Sequence, residues 1–250
     1  MSQTVERALH ILKLISLAPR SLTEVAEYLG VHKSTALRLL QTLEKEDTVR
    51  QDSTGRYVLG FGIIPLAESA INQIDTRGIA HPYLDELAKE IGHTVHLGQL
   101  IDKRVIYVDK VDGAGTVAMG SRIGLPADLH TAAVAKIILA FSTENQAGQI
   151  LETISFEPYT PTTVKSLGDF KSDLAKCRHR GWAEDNGEKE DYINCVALPI
   201  FDSSNRVSLG ISVTALRAVA GLDVLRGMMP RLSLTAASIS RELGWKGQSK

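Results

Sequence analysis

The segment from Ser21 to Gly60 constrains this chain more than any other. Ser21-Leu22-Thr23-Glu24 has the form of a capping box, in which Ser21 accepts from the free N–H groups of a first helical turn and Glu24 reaches back. The helix it opens, Leu22 to Leu29, turns Val25, Ala26 and Leu29 inward. Gly30 ends it, being the residue type that takes a left-handed conformation at no steric cost. A further helix begins near Lys33, with Ala36, Leu39, Leu40 and Leu43 at helical spacing. Ahead of both, Val5, Ala8, Leu9, Leu12 and Ile15 trace another helix that Pro19 stops. Helix, short helix, glycine turn, helix is the helix-turn-helix pattern, and equally that of any small three-helix bundle.

Two features favour a nucleic-acid reading. The outward face of the third helix carries Ser34, Arg38, Gln41 and Lys45, with Lys33 and Thr35 beside its start, and acids enter only from Glu44 on. Short hydrogen-bonding side chains followed one turn later by an arginine suit a helix whose N-terminal end enters the major groove. The second feature is a hairpin. Val49, Gln51, Tyr57 and Leu59 alternate around Asp52-Ser53-Thr54-Gly55, and Arg50 and Arg56 flank the turn where a wing touches phosphates. Total charge gives no help, because the whole chain carries a formal net charge of −1. Any DNA affinity must come from placement, and from more than one such domain acting together.

VERALHILKLI, LTEVAEYLGVHKSTALRLLQTLEKEDTVRQDSTGRYVLG and, within it, the KSTALRLLQTLE and GRYVLG pair resemble the N-terminal domain of the IclR family of bacterial transcription regulators. By that resemblance residues 1–61 form a winged helix-turn-helix that binds a double-stranded DNA operator, with Lys33, Ser34, Thr35, Arg38, Gln41, Arg50 and Arg56 as its contacts. A helix over 62–76 then joins it to an effector domain over 77–247.

The remainder reads as α+β. IIPLAESAINQI is helical, with Pro65 in its first turn, and Pro82 is expected to begin a new helix or bend. TVHLGQLI and RVIYVDKV read as strands joined at Asp102-Lys103, and GTVAMGSRIG as a third. LHTAAVAKIILAF is apolar nearly all round and so buried, while ENQAGQILETI and SLGDFKSDLAKCRHRG are amphipathic helices. NCVALPIF and VSLGISVTAL form a hairpin across Asp202-Ser203-Ser204-Asn205, and a last helix runs from Val219 to Leu243 with a kink at Pro230. Strand pairs with helices between them imply an antiparallel sheet covered by helices.

Catalytic signals are missing. No glycine-rich phosphate loop, GxSxG or HExxH occurs. His93 and His96 stand three apart on a predicted strand and face opposite ways, so no metal site is expected even with His130 or His179. Cys177 and Cys195 lack metal-site spacing and read as free thiols, Cys195 as a buried structural one. No apolar run is long enough for a membrane span and MSQTVERALH is too polar for a signal peptide, so a cytoplasmic protein without a cofactor is expected.

The resemblance continues through RIGLPADLHTAAVAK, GWAEDNGEKEDYINCVALPIFD, LGISVTAL and SISRELG. It implies a GAF-like α/β effector domain whose pocket takes a small carboxylate. Asp185, Cys195, Ser212 and Thr214 would supply side chains, and N–H groups near Ala133 and Val134 would hold the carboxylate. A helix N-terminus is a natural anion site, and two residues two apart on a strand, as Ser212 and Thr214 are, share a face. Asp128, Ala135, His93 and Tyr192 depart from the family pattern, which usually has Pro, Gly, Glu and Gly there. The DNGEKE run is most like the family members that govern sugar-acid breakdown. The expected protein is a dimeric or tetrameric regulator; the alternative is a metabolic α+β enzyme with an accessory helical domain.

Overall fold

The fold is that of a computed structural model, which describes residues 3–72, 75–113 and 120–247. The chain divides into two compact units, Met1–Gln73 and Ile74–Lys250.

In the first unit α1 (Gln3–Leu17), α2 (Leu22–Leu29) and α3 (Lys33–Lys45) precede β1 (Val49–Gln51), β2 (Tyr57–Leu59) and α4 (Ile63–Asn72). The capping box forms as read: the Ser21 N–H donates to Glu24 Oε2 at 2.7 Å and the Glu24 N–H donates to Ser21 Oγ at 3.3 Å. Gly30 closes α2 at φ 63. Ile11, Ile15, Val25, Ala26, Ala36, Leu40, Val49 and Tyr57 make the core. On α1 the buried residues are Ile11 and Ile15, whereas Val5 and Leu9 are 59% and 52% exposed. The apolar positions of α1 therefore serve two faces, only one of which the small core can cover.

β1 and β2 pair antiparallel. Arg20 and Tyr57 exchange backbone hydrogen bonds at 3.0 and 2.7 Å, so the α1–α2 connection adds a third rung to the hairpin.

The second unit contains α5 (Asp75–Ile91), β3 (Thr94–Ile101), β4 (Arg104–Val111), α6 (Ala133–Phe141), α7 (Glu144–Leu151), α8 (Leu167–Arg180), β5 (Ala183–Asn186), β6 (Ile193–Phe201), β7 (Val207–Leu216), α9 (Leu222–Gly227) and α10 (Met229–Glu242). Its strands form one sheet in the order β4-β3-β7-β6-β5, with every neighbouring pair antiparallel. α5, α9 and α10 cover one face through Leu84, Leu87, Leu225, Leu232 and Ile239, packed on Val95, Leu97, Val196, Ile211 and Val213. The other face carries α6, whose Val134, Ile137 and Ile138 pack with Val105, Ala183 and Ala197, and beyond it Ile150 of α7 and Phe170 of α8.

A pair of glycines lets α6 approach. Gly98 of β3 lies opposite Gly210 of β7. A Cβ at Gly98 would stand 2.7 Å from Val134 Cγ2, and one at Gly210 would stand 3.1 and 3.2 Å from the side chains of Ile137, Ile138 and Val134. Two side chains missing from adjacent strands make the hollow into which the first turns of α6 settle.

Several expectations are corrected. Pro82 neither starts nor ends a helix but lies inside α5; Gly78, whose carbonyl the proline leaves free, is exposed. Of the expected strand GTVAMGSRIG, residues 115–119 lie outside the described residues, and Gly120–Gly124 is turn rather than strand. The chain then runs beside β4, where the Tyr107 N–H donates to the Leu125 carbonyl at 3.0 Å and the Ala127 N–H to that of Val105 at 2.7 Å. The last helix is two helices, because Pro230 lacks an N–H and sits in the first turn of α10. His93 precedes β3 instead of lying on it. β5, whose residues carry no strand pattern of their own, forms the edge of the sheet beside β6.

Candidate functional site

α3 presents its polar residues as a continuous open face. Lys33, Ser34, Arg38, Gln41 and Lys45 are exposed, Thr35 is half-buried, and Ala36 and Leu40 point into the core. Lys33, Arg38, Gln41 and Lys45 keep their side-chain donors on the exposed face, while the Arg38 carbonyl accepts from the Thr42 hydroxyl at 2.9 Å. Ser34 differs. His32 is the N-cap of α3, and its Nδ1 lies 2.9 Å from Ser34 Oγ and accepts from the Ser34 N–H at 3.4 Å. The sequence reading passed over His32, since histidine is not a preferred cap.

The two wing arginines are held differently. Arg50 lies over the Phe61 ring at 5.0 Å and is exposed. Arg56 donates to the Pro19 carbonyl through Nε at 3.2 Å and Nη2 at 3.1 Å, and to Glu24 Oε2 through Nη2 at 2.7 Å. That carboxylate also caps α2, so one acid ties the hairpin to the helix-turn-helix. The Ser21 hydrogen bonds, backbone first, and then Arg56 hold the Glu24 pKa down at about 2.

In the second unit Ala133, Val134, Asp185, Cys195, Ser212 and Thr214 line one cavity of about 310 Å³. β5, β6 and β7 lie side by side in register Asp185↔Cys195↔Thr214, which aligns three of these residues across the sheet. The N-terminus of α6 meets the same cavity. Its N-cap, Ala132, has no side-chain cap, and the first N–H groups with helical acceptors are those of Ala135 and Lys136. The N–H groups of Ala133 and Val134 thus have no acceptor among the described residues, and the helix dipole makes their surroundings favourable to negative charge.

The cavity also includes His96, Tyr107, Ser121, Asp128, Thr131, Lys189 and Glu190, most of which carried no sequence signal. His96 is buried, and Asp128 lies at 2.8 Å from His130 Nδ1 and accepts from Lys189 Nζ at 3.2 Å. Burial raises Asp128, but the His130 and Lys189 charges outweigh it and its pKa ends below the ordinary value. Asp185 goes the other way. Burial lifts it to about 6 against the Glu188 N–H, which donates to Oδ1 at 2.7 Å, and against Lys136.

Behind this wall, buried Lys136 of α6 donates to both oxygens of Glu188 at 2.6 and 2.7 Å, and Asp173 Oδ2 lies 2.9 Å away. Burial opposes the charge on Lys136, yet the two carboxylates raise its pKa overall. The Thr160 and Thr162 hydroxyls donate to the Gly187 carbonyl at 2.7 and 2.9 Å. The 185–190 loop is therefore fixed from both sides.

Among the described residues no group of three or more His, Cys, Asp or Glu could hold a metal, and no helix is long and apolar enough to cross a membrane. Cys195 faces Asp185 and Thr214 with its thiol pKa pushed up by burial, the opposite of an activated nucleophile.

Comparison with known proteins agrees with this division. Residues 4–53 match the IclR helix-turn-helix domain and residues 68–241 match the description "Bacterial transcriptional regulator IclR C-terminal". The HTH-type transcriptional regulator XynR of Escherichia coli (strain K12) is 32% identical over 246 residues, covering 97% of this chain and 98% of that protein. The HTH-type transcriptional regulator KdgR of the same organism is 29% identical, covering 90% and 86%. The crystal structure of the Thermotoga maritima IclR superposes with a TM-score of 0.81 at 33% identity, covering 98% of this chain and all of that one. These relatives are transcriptional regulators and not enzymes, which removes the enzyme alternative. A helix-turn-helix unit with an open polar helix, joined to an antiparallel α/β unit with a polar cavity, places the chain in the IclR family of DNA-binding bacterial transcriptional regulators with an effector-binding C-terminal domain.

Proposed function

We propose that the protein binds a palindromic operator as a dimer or tetramer in the bacterial cytoplasm, and that a small carboxylate of the sugar-acid class fills the cavity and alters that binding. Lys33, Ser34, Thr35, Arg38 and Gln41 enter the major groove at the start of α3. Arg50 and Arg56 reach phosphates from the wing, Arg56 through the Nη1 that Glu24 and Pro19 leave open. The absence of bulk positive charge supports pairing, since one near-neutral head makes few phosphate contacts. So do the exposed side chains of Val5, Leu9 and Leu17 on α1 and of Ile64 and Leu66 on α4, which a second copy would cover.

One observation carries the effector reading: an uncapped helix N-terminus and polar side chains from three adjacent strands meet at one cavity. Ala133 and Val134 N–H groups hold the carboxylate, and Asp185, Cys195, Ser212 and Thr214 contact the rest of the ligand. Asp185, as an acceptor, suits hydroxyl groups.

A thermal-shift screen of sugar acids and keto acids tests this. At least one should raise the melting temperature of the wild type and fail to do so in Ser212→Ala. Neutral sugars stabilising the protein while every acid leaves it unchanged would move the carboxylate site elsewhere.

A further inference from the structure

The cavity floor is crossed by a single chain of polar contacts. Cys195 Sγ lies 3.8 Å from Asp185 Oδ2 and 3.3 Å from Thr214 Oγ1. Thr214 Oγ1 lies 3.3 Å from His96 Nδ1, and His96 Nε2 lies 2.8 Å from Ser121 Oγ. The chain thus passes from β5 through β6 and β7 to β3 and ends on the loop beside β4. His96 is a neutral imidazole, because burial, and then Lys110, lowers its pKa to about 3. It therefore carries one ring proton and accepts at the other nitrogen.

Counting donors fixes the direction. Four contacts link the five side chains, and the available protons are the Cys195 thiol, the Thr214 hydroxyl, one His96 N–H and the Ser121 hydroxyl. An ionised Asp185 can only accept, and the Glu188 N–H on its other oxygen at 2.7 Å favours that ionised form. Only one arrangement then fills all four contacts. Cys195 donates to Asp185, Thr214 to Cys195, His96 Nδ1–H to Thr214, and Ser121 to His96 Nε2. Reversing any link leaves two lone pairs facing each other in a buried site.

Resting on the reading of this cavity as the effector site, we infer that His96 is a further specificity-determining residue, held by Asp185 through Cys195 and Thr214 in its Nδ1–H tautomer. In that state the Ser121 hydroxyl spends its proton on His96, so both ends of the floor offer the ligand lone pairs and no protons. The part of the ligand lying against Asp185 and Ser121 must bring its own donors, which favours hydroxylated acids over keto acids of the same size.

Nitrogen-15 NMR of the histidine rings in the ligand-free, full-length protein at about pH 7.5, above the Asp185 pKa of about 6, tests the inference without knowledge of the effector. Wild type and Cys195→Ser should both show His96 protonated at Nδ1, since serine keeps the relay. Cys195→Ala should release that choice and add an Nε2-protonated population, because the Thr214–His96–Ser121 contacts can then be filled in either direction. Protonation at Nε2 in the wild type, or one tautomer in all three proteins, would overturn the inference. Because no ligand is added, that outcome is distinct from a failure of the carboxylate screen.

Discussion

Asp185 shows at the scale of one residue how the cavity trades stability for recognition. Its folded pKa of about 6 lies above the ordinary 3.8, so burial of the charge penalises the folded state at neutral pH. Between those values the folded chain binds more protons than the unfolded chain, and stability falls as pH rises through the window. A shift of about two units corresponds to ~3 kcal/mol as an upper figure. Asp185→Asn should therefore stabilise the ligand-free protein by ~1–3 kcal/mol near neutral pH, with the gain fading towards pH ~4, while abolishing the carboxylate-induced shift. Urea unfolding at the two pH values measures it. Equal stabilisation at both would mean that packing, not charge, is responsible.

The arginines of the first unit give a second contrast at this scale. Arg38→Ala should cost ~1–3 kcal/mol on specific DNA only, whereas Arg56→Ala should weaken all sequences alike and lower the salt slope by about one. Affinity on random and specific duplexes across salt concentrations separates the two. Equal loss on both DNAs in Arg38→Ala would remove its base-reading role. The side-chain types on α3 were legible in the sequence because helical period sorts them by face. His96 and Ser121 were not, because their meeting depends on which strands are neighbours, and nothing local encodes that.

Among the elements, α6 depends on what the sheet omits. Gly98→Ala would put a methyl group 2.7 Å from Val134 Cγ2, at the start of the helix that closes the cavity. Overpacking of this kind costs ~1–3 kcal/mol and should displace the α6 N-terminus. Denaturant unfolding should report the loss of stability, and calorimetry a weaker affinity for any acid found by the thermal-shift screen. Unchanged affinity would mean that the α6 N–H groups do not hold the carboxylate. Elements with strong local signals were readable in advance: the capping box of α2, the glycine stops at Gly30 and Gly181, and the hairpin turns at Asp102 and Asn205. β5 was not, since Ala183-Glu184-Asp185-Asn186 is poor in strand-forming residues and is strand only by pairing with β6. Pro82 begins no helix for the converse reason, as an exposed carbonyl at Gly78 lets α5 run through it.

For the whole molecule, the proposed function pairs two near-neutral heads on one site. Light scattering at micromolar concentration should give at least two chains, and a monomer that binds DNA tightly would contradict the proposal. A carboxylate effector acting through the 62–76 segment should change operator affinity by about 5- to 150-fold, the range that coupling of ~1–3 kcal/mol produces. The sheet-and-helix class followed from the alternation of strand and helix patterns along the chain, whereas the bounds 1–61, 62–76 and 77–247 rested on the family resemblance. The strand order did not, because antiparallel neighbours distant in sequence, such as β3 and β7, are chosen by the packed core as a whole.

Selection of bound sequences from a random duplex pool, run in parallel with wild type and Arg38→Ala, tests whether α3 reads a paired site. The wild type should enrich an inverted repeat whose half-sites lie ~34 Å apart along the duplex, or a multiple of that, as a two-fold dimer with α3 in successive major grooves requires. Arg38→Ala should still enrich the repeat but lose its preference at the same base in each half-site. Enrichment of no sequence by the wild type, or an identical set from both proteins, would contradict that reading.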